Sequence, residues 1–192
     1  MNKAELLNSL QQEIAAADIT PELRAGATQL VFGVGNPNAD IVFIGEAPGQ
    51  KEDEQGEPFV GAAGKFLNEM LAAADLKRED VYITNIVKYR PPQNRDPLPE
   101  EKREFWPYLM QQLEIITPKV VITLGRHSGE CFTPDIHISR DHGRARKVKY
   151  HDYEFLVIPL FHPAAALYNG AMRSVLIDDF LAAAKLARKN LG

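Results

Sequence analysis

The chain has 192 residues, most simply one domain over 1–192, and is long enough to bury a full core. Apolar residues make up 45% and charged residues 25%, and a net charge of −4 argues against a strongly basic, indiscriminate nucleic-acid binder. No apolar run reaches the roughly 18–20 residues of a membrane helix, MNKAELLNSLQQEI is not a signal peptide, and the lone Cys131 rules out a disulfide framework or an all-cysteine metal cluster. The expectation is a cytoplasmic monomer with no membrane partner.

Residues 3–16 read as a helix with Leu6, Leu7, Leu10 and Ile14 on one stripe. LVFGVG (30–35) and DIVFIG (40–45) read as strands around Gly, Pro and Asn turn signals. AAGKFLNEMLAAA (62–74) reads as a helix, VYITNIV (81–87) as a strand, and Pro99 opens a helix to about 116. KVVITLG (119–125) and FLVIPLF (155–161) are apolar without alternation, as strands buried on both faces are. A helix closes the chain from about 171 to 189. Strands alternating with helices predict an α/β fold, a three-layer α/β/α sandwich around a mainly parallel sheet. In such folds ligands bind outside the carboxyl ends of the strands. The tails to inspect are GEAPG (45–49), TN (84–85), GRHS (125–128) and HPA (162–164).

GEAPGQKEDEQGEPFVG (45–61) has glycines that let a backbone bend and approach a ligand closely. It is a poor phosphate cradle: it lacks the GxxxxGK[ST] pattern and carries five acids. Glu52, Asp53, Glu54 and Glu57 read equally well as a solvated acidic face. Glu46, one residue past a buried strand, is harder to explain as decoration. Taken singly, Phe59 is a core plug, Asn85 a strand-end cap and His162 a helix-start residue. Together they bring a carboxylate, a ring, a carboxamide and an imidazole to one edge of one sheet. Lys88, Arg90 and Arg95 form one basic cluster; Arg140, Arg144, Arg146, Lys147 and Lys149 form another.

GEAPGxxEDxxGxPFVGxAG at 45–64, TNxVK at 84–88, RPPxNRxPxPEE at 90–101 and HPA at 162–164 resemble the family 4 uracil-DNA glycosylases, as does VFGVGNPNA at 31–39. The resemblance runs from about residue 20 to 185. It implies a three-layer α/β/α enzyme that removes uracil from DNA and leaves an abasic site, without metal in the chemistry and with uracil-containing DNA as its partner. Such an enzyme flips the nucleotide out and reads its edge. Asn85 then accepts from uracil N3–H and donates to O4, and Phe59 stacks on the base, with Gly45, Ala47 and Gly49 beside it. His162 donates to the oxygen of the departing base. Glu46 orients or activates water, or stabilises the cationic sugar by charge. Gly49 stands where another glycosylase family has a Tyr that blocks the thymine methyl, so thymine exclusion has a different source or is looser. Leu167 or Tyr168 is the candidate wedge in the minor groove. Lys88, Arg90, Arg95, Arg144 and Arg173 are candidate phosphate contacts, each equally explained as a solvated charge.

The chain departs from the family in three places. Members typically carry an iron–sulfur cluster on four cysteines, and the matching positions here are Ala17, Thr20, Tyr89 and Phe105. A cubane cluster needs thiolates, so none is expected and no cofactor is assigned; Tyr89, Phe105 and Trp106 are expected to fill the space as an apolar plug. His142 replaces an Arg before Gly143, weakening a DNA contact. PPQNRDP (91–97) holds no His, so the covalent trapping of one related group is not expected. The alternative reading is a DNA- or base-binding protein without turnover; the intact Glu46, Phe59, Asn85 and His162 favour the enzyme.

Overall fold

The computed structural model describes residues 1–191. Helices α1 (Lys3–Ala16) and α2 (Pro21–Gly26) precede strands β1 (Val34–Gly35) and β2 (Ile41–Gly45). Then come α3 (Gln50–Gln55), α4 (Ala62–Ala73), β3 (Tyr82–Asn85), α5 (Pro99–Ile116), β4 (Val120–Leu124), α6 (Arg126–Phe132) and α7 (Ile138–Asp141). Strands β5 (Arg146–Tyr150) and β6 (Tyr153–Leu160) and helices α8 (Ala165–Tyr168) and α9 (Met172–Leu191) complete the fold. No helix among the described residues is long and apolar enough to cross a membrane.

The six strands form one sheet in the order β1-β3-β2-β4-β6-β5. The inner four are parallel, and β1 and β5 add antiparallel edges. From β2 the chain steps first to β3 on one side and then to β4 on the other, which makes the carboxyl end of β2 the switch point.

Each inner strand is buried on both faces, and its alternate residues feed two cores. Val42, Ile44, Tyr82, Val121 and Val157 face α1 and α5, against Leu7, Leu10, Ile14, Leu109 and Leu113. Ile41, Phe43, Ile83, Ile122 and Ile158 face α4 and α9, against Phe66, Leu67, Met70 and Phe180. Phe43 stacks on Phe180 with ring centroids 5.4 Å apart. Both faces covered by helices is what the unbroken apolar runs require.

Two expectations shift. Of LVFGVG, only Val34–Gly35 pairs into the sheet. Leu6 is exposed, outside the stripe of Leu7, Leu10 and Ile14. The basic run RKVKY at 146–150 forms an edge strand whose residues alternate between half-buried and exposed. An edge strand needs only one covered face, and Lys on its open face discourages pairing with other chains.

The positions matched to cluster cysteines gather where α1, α2 and the segment after β3 meet α5. The Thr20 amide donates to Glu104 Oε2 at 2.6 Å. Arg24 donates to the Ala17 carbonyl at 3.2 Å. Tyr89, almost fully buried, meets Phe105 edge-on with ring centroids 6.0 Å apart. Trp106 points elsewhere and pairs with Phe132 at 5.0 Å, so the expected three-ring plug is two separate pairs in one core. These side chains offer no thiolate and do not fit an iron–sulfur cluster. Cys131 lies on α6, its thiol donates to the His127 carbonyl at 3.3 Å, and burial pushes it up to about 11.

The second basic cluster is largely neutralised from within. Asp141, only 2% exposed, accepts two hydrogen bonds from Arg140, lies 3.6 Å from Arg146 and 4.0 Å from Arg144, and accepts from the His137 amide. The Arg140 hydrogen bonds hold its carboxyl below the usual carboxylate range. Its stabilisation is therefore complete above the ordinary Asp value and is lost as pH falls through the lower folded value. Asp141→Asn should flatten the loss of thermal stability below about pH 4; an unchanged acid limb in melting curves would remove Asp141 from that role. Phe105→Ala should lower unfolding free energy by about 3–5 kcal/mol in urea titrations, because its ring has no exposed surface.

Candidate active site

The site starts from the register of β2 and β3, which sets Gly45 opposite Asn85. A methyl group at Gly45 would lie 2.3 Å from Asn85 Oδ1 and 2.5 Å from Phe59 Cζ. Only the bare α-carbon lets the amide and the ring close on the strand end. Phe59 reaches this place with φ +53, a left-handed conformation rare for a large side chain and costing about 1–3 kcal/mol where the surroundings impose it. Asn85 is 2% exposed, and its Oδ1 is buried without a hydrogen-bond partner among the described residues. An acceptor kept dry and unpaired costs roughly 1–3 kcal/mol.

His162, half-buried just past β6, lies over Phe59 with ring centroids 5.7 Å apart and planes tilted by 27°. The Ala164 amide donates to its Nδ1 at 3.1 Å. That nitrogen is therefore the acceptor, and the proton of the neutral ring sits on Nε2, available to donate. Burial lowers the pKa of His162, against the opposing pull of Glu46 and Glu52. The imidazole is neutral at neutral pH.

Glu46 follows Gly45 directly. Its Oε1 accepts from the backbone amide of His127 at 3.1 Å. A Cβ at Gly125 would lie 2.2 Å from that oxygen, and Gly125 has φ +105, so the turn after β4 needs glycine on both counts. The His127 ring pairs through Nε2 with Asp96 at 3.1 Å, while its Nδ1 is buried without a partner among the described residues. Glu46, Asp96 and His127 each present one ligand-type atom within 4.8 Å of the others. A cation there would first have to displace the His127–Asp96 pair. His127 and Asp96 were not predicted; the strand-end rule pointed to GRHS, but nothing local marked this His as the one that fixes Glu46.

Glu46, Phe59, Asn85, Asp96 and His162 line a cleft of about 570 Å³, with Ala47, Gly49, Glu52 and the Pro91–Pro97 loop on its walls and Leu167 and Tyr168 on its rim. Glu52 is a strap, not a solvated acid: it accepts from the amides of Gly49, Val60 and Gly61 at 3.1, 2.9 and 2.8 Å. Asp53 accepts from the Thr28 amide and hydroxyl, both at 2.8 Å. Glu54 does remain exposed, beside Lys51. Leu167 and Tyr168 are exposed on α8, Tyr168 at 91%, as a groove-entering wedge requires.

The candidate phosphate contacts separate. Lys88 is 0% exposed and cannot reach a phosphate. Its Nζ donates to Thr84 Oγ1 at 2.8 Å, the Asn85 carbonyl at 3.0 Å and the Phe32 carbonyl at 3.3 Å. Burial pushes this ammonium down to about 7, and the three acceptors oppose that loss of the proton. Arg95 is clamped on Glu101 through both terminal nitrogens, at 3.0 and 2.5 Å. Arg173 pairs with Glu69 and covers the Phe66 ring at 4.6 Å. Arg90 bonds Asn94 at 2.7 Å at the cleft wall, and Arg144 is well exposed. His142 turns toward Asp179, 2.5 Å away, and stacks on Phe161.

Compared with known proteins, residues 32–185 match the Uracil DNA glycosylase superfamily. The type-4 uracil-DNA glycosylase of Archaeoglobus fulgidus is 48% identical over 88% of this chain and 87% of its own. That of Sulfurisphaera tokodaii is 47% identical over 83% and 76%, and that of Thermotoga maritima 37% over 97% of both. With a family match over most of the chain and relatives of this kind covered nearly end to end, this protein belongs to the uracil-DNA glycosylase superfamily, alongside its type-4 members.

Proposed function

We propose that the protein is a monofunctional uracil-DNA glycosylase that hydrolyses the N-glycosidic bond of deoxyuridine in DNA, leaves an abasic site, and works without an iron–sulfur cluster. The observation that carries this reading is the dry, unpartnered Asn85 Oδ1 at the floor of the cleft. Uracil N3–H supplies the missing donor and uracil O4 accepts from the amide nitrogen. Cytosine offers an acceptor and a donor in the reverse order, leaving two buried mismatches of roughly 1–3 kcal/mol each. Phe59 stacks on the extruded base, an interaction worth roughly 1–3 kcal/mol.

As the C1′–N1 bond lengthens, the electron pair moves onto N1 and spreads to O2 and O4. Nε2–H of His162 donates to the oxygen that gains charge, its neutral state protecting the hydrogen bond from collapsing into proton transfer. Glu46 lines the cleft, with one carboxylate oxygen fixed by the His127 amide and the second left to hold a water. A water held there adds to C1′ and gives its proton to the carboxylate, whose charge also stabilises the cationic sugar. One protomer holds every one of these groups, so a monomer suffices. Among the cations, Arg90 and Arg144 stay in our reading as phosphate contacts; Arg95 and Arg173 would first release their acids.

Single- and double-stranded oligonucleotides containing one uracil, treated with the protein and then alkali, test the reading; binding with no strand break would overturn it. His162→Ala should slow single-turnover excision by roughly 10²–10³, the usual loss for one oxyanion donor. Asn85→Ala should slow it comparably and erode the preference for uracil over cytosine; an unchanged rate in either variant would remove that residue from the site. Leu167→Ala together with Tyr168→Ala should weaken excision from duplex DNA more than from single strands, since only the duplex leaves a gap to fill.

A further inference from the structure

We propose that Lys88 is a positioning residue for excision, holding Asn85 from below and keeping an ammonium charge beneath the base pocket while the leaving base becomes an anion. The inference rests on the uracil-excision reading.

Three observations carry it. First, Lys88 is fully buried, and no carboxylate pairs with it among the described residues. A cation removed from water without a counter-ion is among the most expensive things a core can contain. An apolar side chain would fill the same space at less expense, so packing alone does not account for a lysine.

Second, the hydrogen bonds demand the charged form. The Thr84 hydroxyl spends its proton on the Phe32 carbonyl at 2.7 Å, so its oxygen faces Lys88 as an acceptor. The carbonyls of Asn85 and Phe32 are acceptors too. Three acceptors require three N–H donors, which only the ammonium has. The neutral amine would turn a lone pair toward one of those oxygens. The Phe32 ring adds a weaker contact, 5.6 Å from Nζ to its centroid.

Third, Lys88 is tied to the reading residue and to the catalytic acid. Its head group grips the peptide carbonyl of Asn85, whose side chain enters the cleft. The amides just before it, Ile86 and Val87, donate to the carbonyls of Gly45 and Glu46 at 3.0 and 3.1 Å. Its own carbonyl accepts from Val31 at 2.9 Å. The site is thus backed by a positive charge in a dry interior, where charge acts more strongly than in water. During the reaction the C1′–N1 bond breaks, the electron pair stays with the base, water oxygen bonds C1′, and Lys88 keeps all three protons throughout.

The test compares Lys88→Met with wild type in single-turnover excision of uracil and of 5-fluorouracil, a more acidic leaving group. Binding to an oligonucleotide carrying 2′-fluoro-2′-deoxyuridine, which resists cleavage, is measured beside it. We expect a loss of about tenfold or more on uracil and a clearly smaller loss on 5-fluorouracil, with the analogue still bound by the variant. Equal losses on both bases, or no loss, would overturn the inference and leave Lys88 as a core residue. A wild-type protein that binds the analogue but cuts neither base would instead overturn the excision reading, and this inference with it. If Lys88→Met shows no cooperative melting, Lys88→Gln, neutral and still a donor, replaces it under the same outcomes.

Discussion

Everything in the site hangs on the parallel pairing of β2 with β3, because that register puts a glycine opposite Asn85. With Gly45 there, the carboxamide and the Phe59 ring share the space a methyl group would take. A slip of one residue would send Asn85 to the other face of the sheet. The register is secured by the strands' apolar residues, which feed two cores in alternation, so the position of Asn85 is set by the same packing that stabilises the sheet.

Around this pair the protein arranges polar groups that are each tied down by backbone. The Ala164 amide sets the His162 tautomer, the His127 amide fixes Glu46, and Glu52 ties Gly49 to Val60 and Gly61. Backbone donors do not rotate away, so the geometry is ready before a base arrives, which is how electrostatic stabilisation acts without reorganisation. The left-handed Phe59 and the unpaired Asn85 Oδ1 are local costs that a ligand-free fold has no reason to carry.

The corner around Tyr89 and Phe105 is held by ring packing and hydrogen bonds to backbone. Tyr89 and Phe105 pack against each other, while Thr20 and Ala17 are held by Glu104 and Arg24. The Tyr89–Phe105 pair lies on the α1–α5 side of the sheet, while Phe59 belongs to the core on the other side.

Much was legible in the sequence: the strands as apolar runs without alternation, the long helices by their stripes, and the motif residues at strand ends, which are local patterns. Glu46, Phe59, Asn85 and His162 do meet in one cleft. What the chain alone could not reveal concerned side chains whose partners are distant in sequence. Lys88 sits beside Arg90 in a run that looks like a solvated basic loop, yet Phe32, 56 residues earlier, draws it into the core. Glu52 and Asp53 look like surface acids until the amides of distant loops turn toward them. His127 acquires its role only because β4 lies next to β2 and its turn meets Glu46. Sequence alone determines which chemical groups stand at each strand end, since that follows from periodicity and composition. Only the tertiary structure decides which charges stay in water, because a charge's place depends on partners that chain folding brings to it.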